Sequence, residues 1–248
     1  MATYFGDGAD VWHRHLLRYG IERNEILSAP AKVVVLAHQK GGSCKTTSVM
    51  CMAGELGTRG HRVLVVDADA QETAIAWSRA ASSERPFPAA VIGMSSFGDR
   101  LHREVQRQLG NYDFIIIDLP PSLEAVTPAA ALLIADLAIV PVPVSPADFW
   151  ATEGVATLIR RLTEVNPGLK TVILPTKVQR TAISRAVLNE LGKFGFPVMQ
   201  SRLSNRIAFQ EAAISGSTPS ALGRQAKEAA NEVMAMTDEV LSILEGAQ

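Results

Sequence analysis

Six short apolar runs rich in β-branched residues, at 33–37, 62–67, 89–92, 114–118, 137–142 and 171–174, alternate with longer stretches whose apolar positions recur at helical spacing. The runs are nearly continuous in hydrophobicity, which is what strands covered on both faces require. A sheet covered twice needs helices on each side and mostly parallel strands joined by crossovers. The expected fold is therefore α/β, a single doubly wound, mostly parallel β-sheet flanked by helices, with ligands received at the carboxyl ends of the strands. Helices are expected at 45–57, 98–109, 128–134, 150–165, 183–192, 207–214 and 223–244, with Gly57, Gly60, Gly110, Gly168 and Gly195 as stops or turns. With 248 residues, 47% apolar content and no long Gly/Pro/Ser tract, residues 31–248 have the material for one large domain. Residues 1–30 precede it as an appendage; 10–19, with Val11, Trp12, Leu16 and Leu17, is compatible with a short helix.

The first apolar run leads into Lys40-Gly41-Gly42-Ser43-Cys44-Lys45-Thr46-Thr47, which opens a helical stretch. A strand that turns through small residues directly into a helix aims backbone N–H groups and a helix N-terminus at one point, an anion site. Lys45 adds a mobile cation and Thr46 a hydroxyl for Mg²⁺. The common phosphate-loop pattern, G-x-x-x-x-G-K-[ST], would place glycine at 39 and 44, where this chain has Gln39 and Cys44.

A phosphate loop that performs chemistry needs carboxylates at the ends of neighbouring strands, and the chain has them. The apolar run Phe114–Asp118 ends in an acid, the form of a Walker B strand that holds Mg²⁺ directly or through water. The run ending Val65-Val66-Asp67-Ala68-Asp69 carries two more, expected to point apart, one to the metal side and the other to the attacking water. A second role is open to either of these two: capping the segment after Gln71. Asp118, followed by Pro120-Pro121, would also end a strand without any metal.

Composition narrows the partners. A net charge of −1 gives no global field for nucleic acid, so such contacts require a local patch. One exists: from 177 to 206 the chain carries Lys177, Arg180, Arg185, Lys193, Arg202 and Arg206 against Glu190 alone. This is either a solvated face or a surface for phosphate backbones. The tail from 224 has Arg224 and Lys227 against Glu228, Glu232, Asp238, Glu239 and Glu245, a balance that repels anionic lipid. Cys44 and Cys51, seven apart, suit neither a disulfide framework nor a zinc site and fit a reducing cytoplasm. No signal-type apolar core and no run of about 18 apolar residues is present, so a soluble, cytoplasmic protein is expected.

Taken together, the loop 39–47, the stretch 65–71, the strand 112–118 with Pro120-Pro121, and the segment 141–150 (Pro-Val-Pro-Val-Ser-Pro-Ala-Asp-Phe-Trp) resemble the ParA/MinD family of deviant Walker-A ATPases, most closely the small plasmid-partition ParA proteins of the ParF type. The match spans 31 to about 160 and continues more loosely through 202–216. The resemblance implies an ATPase with ATP/ADP and Mg²⁺ as cofactors. Lys40 stands at the family's signature lysine, which reaches across an ATP-sandwiched homodimer, Lys45 at the phosphate lysine of the same chain, and Asp69 at the residue that orients water; these three are the catalytic candidates. It implies an ATP pocket of Lys40, Gly41, Gly42, Ser43, Cys44, Lys45, Thr46, Thr47, Pro146, Asp148, Thr176 and Lys177, and a Mg²⁺ shell of Thr46, Asp67 and Asp118. It further implies nonspecific DNA binding through Arg180, Arg185, Arg202 and Arg206, nucleoid association, no membrane, and a small centromere- or cargo-binding adaptor of ParB or ParG type. The alternatives are a MinD-like ATPase acting at a membrane and a nucleotide-binding scaffold with little hydrolysis. The departure at Cys44 motivates the second: a Cβ where the family has glycine costs about 1–3 kcal/mol if the backbone is strained, a tenfold to roughly hundredfold loss of nucleotide affinity at about 1.4 kcal/mol per decade.

Overall fold

The computed structural model describes residues 30–122 and 126–246; of the expected appendage at 1–30, all but the last residue lie outside them. Six strands form one sheet in which every pairing is parallel: β1 (Lys32–Leu36), β2 (Val63–Asp67), β3 (Ala90–Gly93), β4 (Phe114–Asp118), β5 (Leu137–Pro143) and β6 (Lys170–Thr176), in the order β3-β2-β4-β1-β5-β6. All six apolar runs are strands. The chain leaves β1 towards one edge, returns as β4 beside it, then continues to the other edge, so the order reverses around β1, where such sheets receive ligands.

Strand alternation builds two cores. Val33, Val35, Ile115, Ile117, Ala138 and Val140 face one side. They meet α3 (Leu101–Gln106), α4 (Val126–Leu132), α5 (Pro146–Thr163) and α6 (Ala182–Glu190) through residues such as Leu101, Leu132, Val155 and Val187. Val34, Leu36, Val65, Ile116, Leu137 and Ile139 face the other. There the cover is α1 (Lys45–Thr58), α2 (Thr73–Arg79), α7 (Ile207–Ile214) and α8 (Lys227–Glu245), through Met50, Trp77, Phe209 and Met236.

Helix starts depart from expectation where side chains, not periodicity, set them. α5 begins at Pro146, four residues before the expected 150, because Ser145 is its N-cap: Ser145 Oγ accepts the Asp148 N–H (3.3 Å) and donates to Asp148 Oδ2 (2.6 Å), with proline in the first turn. The stretch expected as one helix over 98–109 divides into a 3₁₀ turn, Ser95–Arg100, and α3, because Gly98 takes φ 52°, ψ −121°. α8 starts at Lys227, after a 3₁₀ turn over Arg224–Ala226, rather than at 223. α2 is not among the helices expected from periodicity, only allowed for by the possible cap before it; it is two turns long, too short for a period to reveal.

One segment outside the named strands extends the sheet. Residues 197–204 run parallel to β6, with Ile173 N–H donating to Pro197 O (2.9 Å), Met199 N–H to Ile173 O (2.9 Å) and Leu203 N–H to Pro175 O (3.0 Å). It brings 203–206 to the same carboxyl edge as the loop after β1.

Candidate nucleotide site

Register places the acids. Leu36 at the end of β1 pairs with Asp118 at the end of β4, and Asp118 pairs with Asp67 at the end of β2. Three strand ends therefore converge under one loop, and above them opens a cleft of about 530 Å³ lined by 41–47, Asp69, Lys177 and a second wall described below.

Lys45 is buried, its ammonium 3.5 Å from Lys40 O. Burial pushes its pKa below the usual lysine range, while Asp118 and Asp69 pull it back up. Thr46 Oγ1 donates to Asp118 Oδ2 at 2.6 Å. The other oxygen, Asp118 Oδ1, is buried with no protein partner. Burial is the main reason the Asp118 carboxyl is pushed up to about 7, and nearby Asp67 adds to it. A buried carboxylate oxygen left open beside a hydroxyl is what a hard dication would satisfy. Among the described residues no group of three or more His, Cys, Asp and Glu forms a complete protein cage for a metal.

Asp67 and Asp69 are separated by the end of the strand. Residues two apart on a strand share a face, so alternation does not part them; β2 stops at Asp67 and Asp69 lies in the loop beyond. Asp67 Oδ2 accepts the N–H groups of Ala74 (2.9 Å) and Ile75 (3.2 Å), and Oδ1 that of Asp69 (3.1 Å). It satisfies the first turn of α2 from the strand end, the capping role left open by the sequence, and both its oxygens are engaged. Asp69 Oδ1 accepts Gln71 N–H (3.0 Å) and its carboxylate borders the cleft.

Cys44 occupies φ 70°, ψ 24°, the left-handed region, as the residue before α1. It is where a glycine would be unstrained. Burial raises its thiol pKa, with Lys177 and Thr176 opposing. Lys177 (φ 50°) also carries a left-handed backbone at the cleft wall.

The other expected pocket residues divide. Thr176 lies beneath the loop and donates through Oγ1 to Ser43 O (3.2 Å). Pro146 belongs to the α5 cap and to an apolar hollow with Phe149 and Trp150, away from the cleft lining. Lys40 and Asp148 stand at the rim: Lys40 Nζ donates to Asp148 Oδ1 at 2.8 Å, and the lysine side chain is 46% exposed.

The second wall was not foreseen in detail. Trp77 of α2, Leu203, Asn205, Phe209 and Gln210 line it. Trp77 Nε1–H donates to Ser217 O (3.0 Å), and the chain reaches it through Gly216, whose φ of 60° and close approach leave no room for a Cβ, which would lie 2.0 Å from Ala81 N. The looser sequence match over 202–216 was the one available signal. Of the four arginines expected at DNA, Arg180, Arg185 and Arg202 are exposed, the last two around one hollow with Asn189 and Gln200. Arg206 instead borders the nucleotide cleft and pairs with Glu228 and with Glu232 (2.9 Å).

Comparison with known proteins decides the family. A family model described as an AAA domain matches residues 31–92 and 86–174, more than half of the chain. The chromosome-partitioning ATPase Soj of Thermus thermophilus is 31% identical over an alignment covering 86% of this chain and 100% of Soj. The chain belongs to the ParA/MinD family. Within it, the maintenance of carboxysome distribution protein A of Halothiobacillus neapolitanus is 29% identical, over 86% of this chain and 98% of that protein. The fold agrees with a solved ParA/MinD-type structure, the ATP complex of a Cyanothece McdA variant, at a TM-score of 0.72, 15% identity, and coverage of 86% and 97%. The chain is thus kin to positioning and partition ATPases and carries its site on one parallel six-stranded sheet.

Proposed function

We propose that this ParA/MinD protein is a Mg²⁺-dependent ATPase whose two loop lysines divide binding from switching. The observation that carries the reading is their separation: Lys45 is buried in the cleft beside Asp118 and Asp69, whereas Lys40, five residues earlier, stands half-exposed at the rim. Lys45 and the N–H groups of 41–47 would hold the phosphates. Mg²⁺ would be held by Thr46 and Asp118, with Asp67 behind them, and when bound supplies neutralisation of the phosphate charge. Asp69 would orient the water that attacks the γ-phosphorus as the bond to the β-phosphate oxygen breaks. Phosphoryl transfer depends on positioning and charge rather than on covalent chemistry by the protein, so a second cation arriving from outside the cleft acts as an arginine finger does. Lys40 from a second copy fills that role in an ATP-sandwiched homodimer, and hydrolysis opens it.

As a dimer the protein would hold nonspecific DNA through Arg180, Arg185 and Arg202, associate with the nucleoid in the cytoplasm, and release when a small ParB/ParG-type adaptor stimulates hydrolysis. The cargo would be a plasmid, a chromosome region or a protein assembly. Among the described residues no helix is long and apolar enough to cross a membrane. The acidic α8 packs its apolar face on α1 through Val233, Met236 and Val240, which supports DNA over lipid as the surface. The test is ATP hydrolysis and ATP-dependent DNA retention measured together. Retention that depends on ATP and disappears in a doubly substituted Arg185→Ala, Arg202→Ala protein supports the reading; equal retention with ATP and ADP overturns its switch.

A further inference from the structure

His38 lies just past β1, two residues before Lys40, and is buried at 1% exposure. Nothing in the proposed reaction uses it. Its Nδ1 accepts the Lys40 backbone N–H at 3.1 Å. A ring nitrogen that accepts cannot carry the proton, so in the neutral ring the proton is on Nε2. Nε2 faces Thr152 Oγ1 at 3.5 Å, and that hydroxyl donates to Asp148 O at 2.9 Å. Asp148 Oδ1 in turn receives Lys40 Nζ. The circuit closes on Lys40, gripping its backbone at one end and its ammonium at the other, and passes through the first turns of α5.

We propose that His38 is a positioning residue that sets the backbone of Lys40 and couples the lysine to α5, so that moving Asp148 and freeing the lysine are one event. Burial, with Lys45 adding to it, lowers the His38 pKa to about 4, so the ring is neutral at physiological pH and the direction of the chain is constant. Asp148 and Lys40 are the other charges facing it. No protein hydrogen bond links His38 to the phosphate-gripping N–H groups after Gly41, so its loss should act on turnover and spare nucleotide affinity.

The inference rests on the proposed role of Lys40, and the test separates the two. Four full-length variants, Lys40→Ala, His38→Leu, His38→Asn and Thr152→Val, are compared for kcat and for the Kd of a fluorescent non-hydrolysable ATP analogue. His38→Leu is expected to lose kcat about tenfold, the equivalent of one misplaced charged group, with Kd within about threefold. His38→Asn, whose amide oxygen stands near the place of Nδ1, should recover most of that loss. Wild-type kcat in His38→Leu, a Kd that rises as much as kcat falls, or no recovery in His38→Asn overturns the proposal. If Lys40→Ala is inactive while His38→Leu is normal, only this inference fails; if Lys40→Ala turns over normally, the role of Lys40 fails and this fails with it. Should His38→Leu not fold, Thr152→Val decides: a severalfold fall in kcat at unchanged Kd supports the coupling, and wild-type kcat overturns it.

Discussion

The two walls of the cleft are built in different ways. The first wall is the loop 41–47 with Asp69, standing over the buried Asp67 and Asp118 at strand ends that the register of a parallel sheet brings together. The second wall, Trp77, Leu203, Asn205, Arg206 and Phe209, comes from a short helix, an extra sheet-like segment and α7, joined by long-range contacts such as Trp77 to Ser217 and Arg206 to Glu232. Short-range geometry makes the first wall a chemical surface; packing makes the second a shaped one. Substitutions in the first should therefore change rates and phosphate affinity, and those in the second should change fit and stability.

The largest break in that comparison is expected at Asp69. Asp69→Ala should lower kcat about 10²–10³-fold while nucleotide affinity stays within a few-fold, because it removes a group needed only as water attacks; single-turnover hydrolysis beside equilibrium binding checks it, and normal hydrolysis would reassign the water-positioning residue. Lys45→Ala acts on the ground state as well. Taking the buried cation from the site should weaken ATP binding about a hundredfold or more, read by calorimetric titration.

The loop's support has a pH signature. His38 is held to about 4 in the folded chain against 6.5 unfolded, so the unfolded state takes up the proton first, and stability is lost as pH falls through that window. The contribution is about 3 kcal/mol. Since carboxylates titrate nearby, the measurement is the difference between wild type and His38→Asn in urea unfolding at pH 7 and pH 4. Wild type should lose more, and parallel losses would place the ring in a solvated setting.

On the second wall, Arg206→Ala should cost about 1 kcal/mol by leaving Glu232 with its Ser204 hydrogen bonds but without its cation and weaken nucleotide binding a few-fold. DNA retention should be nearly unchanged, in contrast to Arg185→Ala with Arg202→Ala, because Arg206 is neutralised within the chain. An effect of similar size but opposite sign is expected at Cys44→Gly. Relief of the left-handed strain should raise the melting free energy by about 1 kcal/mol and tighten nucleotide binding by up to about tenfold.

The legible part of this molecule was the part whose information is local. Six apolar runs announced six strands, and the places of Asp118 at a strand end and Lys45 at a helix start were legible because acid-tipped strands and a strand-loop-helix turn need no distant partner. At Cys44 the signal was the resemblance, which has glycine there, and the residue does take a left-handed backbone. The start of α5 lies four residues before the expected 150 because its Ser145-Pro146-Ala147-Asp148 cap adds nothing to the apolar period, though the serine and aspartate have the spacing of a reciprocal cap. α2 was missed because seven residues carry too few turns for a period. Arg206 read as a free cation, because the chain does not say that Glu228 and Glu232 return beside it from α8.

What the sequence determined alone was the layered α/β plan, the phosphate-gripping loop and the acids at its base, for which a residue's function follows from where its own strand ends. Tertiary structure decided which of those acids is free. Asp67 is consumed by the N–H groups of α2 and Asp118 keeps an open oxygen. It also decided that Lys40 rests on Asp148 and not in the cleft. These outcomes depend on hydrogen-bond partners from 7 to 108 residues away, and a polar group's role is set by what remains unsatisfied once the chain has packed around it.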